Sequence, residues 1–171
     1  MRNRVMRPKT TAFFAATMLA GCATTPPPGG APVPIEREEI SYATAPCFGT
    51  CPVYTVTVHP DGTGVFEGKA HTAVTGVRTF TLTPDAYRRF AAALAPYRPE
   101  AGERLIQPGS PDCGNAPTDM PGVDVHWTGL EGAGQHLSLY YGCRPDSDDR
   151  MRTALRAAPD LLPIGAFIGK R

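Results

Sequence analysis

The chain has 171 residues, 42% apolar and 19% charged, enough for one domain with a buried core. Its formal charge is +1, but Arg2, Arg4, Arg7 and Lys9 all stand in the first nine positions, and without them it is −3. A mildly acidic body excludes the basic footprint of a nucleic-acid binder and a polybasic patch for anionic lipid.

The basic start runs into the apolar stretch Thr10 to Ala20 and then reaches Leu19-Ala20-Gly21-Cys22. A basic region, a short apolar region and a small residue at the cut make the pattern of a secretory signal. The apolar run is about a dozen residues, short of the roughly 20 that cross a bilayer as a helix. Leu19, three positions before the cut, replaces the small residue of ordinary signal cleavage. These four residues resemble the bacterial lipobox. The resemblance implies loss of residues 1–21, diacylglycerol on the Cys22 thiol, and acylation of the new amino terminus. Two or more acyl chains anchor a protein stably, whereas one holds it only marginally. Ala23 stands where an aspartate would retain such a protein at the inner membrane of enteric bacteria. By that analogy the expected address is the outer membrane, facing the periplasm.

Cys47, Cys51, Cys113 and Cys143 remain. An even number in an exported chain points to two disulfides, among three connectivities. The pairing expected here is Cys47 with Cys51 and Cys113 with Cys143. A turn at Gly49 brings the first two alpha carbons within the roughly 4.4–6.8 Å that a disulfide spans. The second bridge closes a loop of a few tens of residues, worth about 3–4 kcal/mol of loop entropy.

Residues 22–34 read as the lipidated cysteine and a tether, with Pro26-Pro27-Pro28, Gly29-Gly30, Pro32 and Pro34 favouring extended chain over a core. Residues 35–171 read as the single folded domain. Glu36 to Ala43 is a first strand. Tyr54, Val56 and Val58 alternate with Thr55, Thr57 and His59, the period of a half-buried strand. Pro60-Asp61-Gly62 turns the chain into a returning strand, Gly64 to Gly68. Val77 to Leu82 is the next strand.

Thr83-Pro84-Asp85 starts a helix: capping hydroxyl, proline in the first turn, carboxylate at the positive end of the dipole. Tyr87, Phe90, Ala91 and Leu94 share its inner face. Pro96 to Gly122 reads as a long loop stapled by Cys113. Val123, Val125 and Trp127 and then Leu137, Leu139 and Tyr141 give two more strands around the turn Gly129 to Gly134. Trp127 and Tyr141 are assigned to the core, and Tyr140 to the surface. A second helix opens at Ser147-Asp148-Asp149, buries Met151, Leu155 and Ala158, and stops at Pro159; Leu161 to Ile168 packs onto the domain. The expected fold is α+β: an antiparallel sheet with two helices packed on one face, stapled by disulfides.

The run Cys47-Phe48-Gly49-Thr50-Cys51-Pro52-Val53-Tyr54 is the richest in chemistry. Together with Asp61-Gly62, Gly68, Gly76 and Thr118-Asp119 before Pro121, it resembles the bacterial domain-of-unknown-function 6438 family over about Glu38 to Asp160. That resemblance implies an exported domain, often lipid-anchored, with no established activity and no catalytic residues to carry over. Read on its own chemistry, the cysteine turn is a structural disulfide, a reactive dithiol, or a copper(I) site. A reactive Cys-x-x-Cys sits at a helix start, whereas this spacing is one residue longer and a strand pattern follows. Cys-x-x-x-Cys-Pro resembles the motif of Sco-type copper chaperones, which are also helical after it.

His126 and His136 fall on the polar faces of strands expected to pair, near Asp124, and are weak candidate ligands for a divalent metal. No Gly-x-Ser-x-Gly elbow and no phosphate-binding loop occurs. The expected function is therefore a non-enzymatic, lipid-anchored envelope domain without a cofactor, binding or scaffolding a periplasmic protein or envelope ligand. The alternative is a thiol-redox or copper(I)-handling protein using Cys47 and Cys51.

Overall fold

β1 (Glu38–Thr44) stands in the middle of a seven-stranded sheet with the order β4-β3-β2-β1-β6-β7-β5. The computed structural model describes residues 38–129, 132, 134–145 and 149–169. The expected signal, Cys22 and the tether lie outside them, as do Ser147 and Asp148 of the expected helix start.

The alternating residues of β2 (Val53–Val58) and β3 (Thr63–Ala70) form the expected hairpin, with Val56 opposite Phe66. Its turn is held by Asp61, whose carboxylate accepts from the Thr63 amide at 2.8 Å and the Thr63 hydroxyl at 2.7 Å. Those two bonds, the hydroxyl's first, lower the Asp61 pKa. β4 (Gly76–Thr81) pairs antiparallel with β3, and the Phe80 ring fills the space a side chain at Gly64 would need.

On its other side β1 pairs antiparallel with β6 (Gly122–Gly129), setting Ile40 opposite Trp127 and Tyr42 opposite Val125. β6 pairs antiparallel with β7 (Gly134–Tyr140). Ile40, Val56, Phe66, Val125, Leu137 and Leu139 are completely buried on one face of the sheet, with Tyr42 and Trp127 beside them.

α1 (Pro84–Leu94) covers that face as the sequence predicts. The Thr83 hydroxyl accepts from the Ala86 amide at 3.1 Å, and Tyr87, Phe90, Ala91 and Leu94 are buried. α2 (Arg150–Ala157) buries Met151 and Leu155. The Tyr42 hydroxyl donates to the Leu155 carbonyl at 2.8 Å, tying the sheet to α2. Among the described residues no helix is long and apolar enough to cross a membrane.

Two parts of the expected architecture need correction. The sheet is mixed, because β5 (Glu103–Ile106) lies inside the stretch read as a loop and pairs parallel with β7. Its four residues show no apolar alternation: Leu105 faces solvent while its neighbour Ile106 is fully buried. There are also three described helices rather than two. α3 (Gly165–Ile168) is one turn within the C-terminal tail, and Phe167 packs its ring on Phe66 with centroids 5.5 Å apart.

Candidate functional site

Both expected disulfides form. Cys47 and Cys51 have alpha carbons 5.8 Å apart, and Cys113 and Cys143 have theirs 4.8 Å apart. Gly49, at φ +138°, supplies the backbone turn that the first bridge requires. The Phe48 amide donates to the Asp119 carbonyl at 3.0 Å, which fastens the turn to the long loop, while its ring is 90% exposed.

Leaving Cys51, the chain enters β2 through a register shift at Val53 and Tyr54. Thr44 patches that irregularity. Its hydroxyl donates to the Pro52 carbonyl at 2.8 Å and accepts from the Tyr54 amide at 3.0 Å. A strand, not a helix start, therefore follows the cysteines. His59 stands beyond the far end of β2, about 25 Å away along an extended chain.

Beneath this turn lies a pocket of about 250 Å³. Tyr42 and Tyr54, stacked with centroids 6.4 Å apart, form one side; Cys51, Pro52, Pro121 and Tyr141 contribute much of the rest. Arg156, exposed on α2, lays its guanidinium over the Tyr141 ring, 4.3 Å from the centroid. Among the described residues it is the one charged residue lining the pocket.

Trp127 and Tyr141 are core residues, 1% and 5% exposed. Tyr140 is not the surface tyrosine expected. It is half-buried under the long loop, where its hydroxyl donates to the Pro117 carbonyl and accepts from the Met120 amide, both at 2.8 Å. Alternation places Tyr140 off the core face but carries no information about a loop folding over it.

The opposite face of the sheet brings His126 and His136 together, directly paired across β6 and β7. Their rings are parallel within 6° and 4.0 Å apart. His136 faces Asp124 through Nε2 at 3.0 Å and Glu103 through Nδ1 at 3.7 Å. Lone pairs in two parallel ring planes do not converge on a single ion, and tetrahedral zinc needs convergence. Among the described residues no group of three or more His, Cys, Asp or Glu is placed to hold a metal ion.

Ser138, opposite Asp124, accepts from Gln107 Nε2 at 3.4 Å. Both His136 nitrogens face carboxylates rather than Ser138. The pocket and Arg156 are absent from the sequence expectations. Their signal is diffuse, because the lining residues come from β1, the cysteine turn, β2, the start of β6 and the residue before it, the residue after β7, and α2.

A mixed seven-stranded sheet, covered on one face by helices and bridged by two disulfides, defines an α+β domain. The profile described as domain of unknown function (DUF6438) matches residues 38–160, and the chain belongs to that family. The match takes in the whole sheet, the cysteine turn and the pocket with Arg156. No curated protein matches the chain.

Proposed function

We propose that this is a non-enzymatic binding domain of the bacterial cell envelope. Lipid on Cys22 anchors it to the outer membrane facing the periplasm, and residues 23–34 hold residues 35–171 away from the lipid surface. The observation that carries the binding role is the apolar pocket beneath the Cys47–Cys51 turn, with Phe48 exposed on the bridged turn beside it. A concave apolar site with few polar groups is the common form of a ligand site. An aromatic side chain on a constrained turn is a common anchor for a partner. Thiol or copper(I) handling by Cys47 and Cys51 has weaker support, since a strand rather than a helix start follows them and no group of three or more His, Cys, Asp or Glu among the described residues is placed to hold a metal ion.

The test places a photo-crosslinking amino acid at position 48 or at position 77, in the full chain in intact cells. Val77 is exposed on β4, away from the pocket residues. A discrete adduct from position 48 and none from position 77 is the expected result; equal adducts, or none from 48, overturn the binding role. For the anchor, Cys22→Ser is expected to abolish lipid labelling and leave the chain unprocessed. Normal processing of that variant refutes the lipobox.

A further inference from the structure

We infer that the pocket takes a carboxylate carried on an apolar body of side-chain size, with Arg156 receiving the carboxylate. This deepens the binding role above and rests on it.

The charge pattern comes first. Tyr42, Tyr54, Tyr141, Pro52 and Pro121 are neutral, and among the described residues no carboxylate lines the pocket. Arg156 is thus a cation beside an apolar cavity whose described wall holds no counter-charge. Its neighbour on α2 is different: Arg152 Nη1 donates to Asp149 Oδ1 at 3.0 Å. No ion pair within the described residues engages Arg156; its recorded contact is the ring of Tyr141.

The geometry of that contact matters next. A guanidinium lying on an aromatic ring uses its face, while its five N–H donors point outward in its plane. Stacking therefore fixes the cation and leaves the donor edge able to meet a planar anion. A carboxylate matches that edge with two parallel hydrogen bonds. The stack also reduces the rotamer freedom Arg156 would lose on binding, which favours affinity.

Size sets the body. About 250 Å³ lies just below the roughly 300–1,000 Å³ of drug-sized sites, so the cavity suits one aromatic or branched aliphatic group. The tyrosine and proline walls offer it flat apolar surface, and the ring stacking of Tyr42 on Tyr54 suits an aromatic body. Such a carboxylate comes either as a free small acid or as the C-terminal residue of a polypeptide, and both present the same atoms to Arg156.

The experiment uses the full chain in phospholipid nanodiscs, with empty nanodiscs as the partition control, and fluorine NMR of the probe. The probes are 3-(4-fluorophenyl)propionate and its neutral amide. The acid is expected to bind about tenfold more tightly, the scale of a charge-assisted hydrogen bond. Arg156→Gln is expected to remove that preference, so that acid and amide bind this variant equally. Arg156 is exposed, so this substitution leaves the core intact. A merely structural Arg156, holding only Tyr141, gives no acid preference to lose.

Equal binding of acid and amide, or a preference that survives Arg156→Gln, overturns the inference while leaving the pocket as a binding site. Binding of neither probe overturns the pocket reading and this inference together. A third arm compares Gly-Gly-(4-fluorophenylalanine) with free and amidated C-termini. Tighter binding of the free peptide than of the small acid identifies a chain terminus as the source, and the reverse order identifies a small acid.

Discussion

The imidazoles of His126 and His136 lie face to face, 4.0 Å apart, on the sheet face turned away from the helices. Each ring shields one side of the other from water, and two like charges at that distance repel. The His126 pKa is lowered from 6.5, first by loss of water around its ring and next by the charge on His136, with Asp124 opposing.

A titration prediction follows from that order of causes. The His126 midpoint, followed by NMR of the ring, is expected below 6.5 and is expected to rise in His136→Gln. The sign for stability is fixed by linkage: the unfolded chain protonates this histidine near 6.5, the folded chain only at lower pH. Its contribution is therefore complete above 6.5 and is lost as pH falls through 6.5 toward the folded value. His126 is exposed, so solvent screening keeps the loss small. A midpoint that stays fixed when His136 is replaced refutes the coupling.

How far this arrangement could be read from the sequence depends on which physical signal each residue carries. Alternation in Tyr54 to Val58 and Val123 to Trp127 places those strands, because one face is buried and the other wet. Thr83 and Pro84 announce α1 through local capping chemistry. The even cysteine count carries the expectation of two bridges, and both form. Polar-face positions put His126 and His136 on one side of the sheet, but their direct pairing depends on register across the turn that follows Gly129.

β5 is hidden for a different reason. It is a four-residue edge strand whose one buried side chain, Ile106, is held by parallel pairing with a strand some thirty residues later, and no local pattern encodes that. The pocket is likewise a tertiary object. Neither Tyr42 nor Arg156 carries a mark of it, since the two are joined only through a lining drawn from distant parts of the chain.

Tyr140 gives a prediction about the long loop. Its hydroxyl is the shared partner of Pro117 and Met120, so Tyr140→Phe removes two hydrogen bonds without removing the ring. A loss of about 1–2 kcal/mol is expected, read from the urea midpoint. Amide exchange at Met120 is expected to quicken by more than exchange in β1, because the loop loosens while the sheet stays intact. Unchanged exchange at Met120 means that the loop is held by other contacts.

The two disulfides are expected to differ in their contribution to stability, and loop length sets the order. Cys113 and Cys143 are separated by 30 residues and Cys47 and Cys51 by 4. Loop-closure entropy makes the long bridge worth about 3.5–4 kcal/mol and the short one about 2 kcal/mol. Replacing both cysteines of a pair by serine avoids an odd thiol, and urea unfolding reads each loss. Cys143 is 1% exposed, so its replacement also puts a hydroxyl into the core and widens the difference. The short bridge has a local duty instead: it holds the turn carrying Phe48 and one wall of the pocket. Cys47→Ser with Cys51→Ser is thus expected to weaken probe binding more than its cost in stability suggests, and Cys113→Ser with Cys143→Ser the reverse. Loss of binding in proportion to stability in both variants refutes that division of labour.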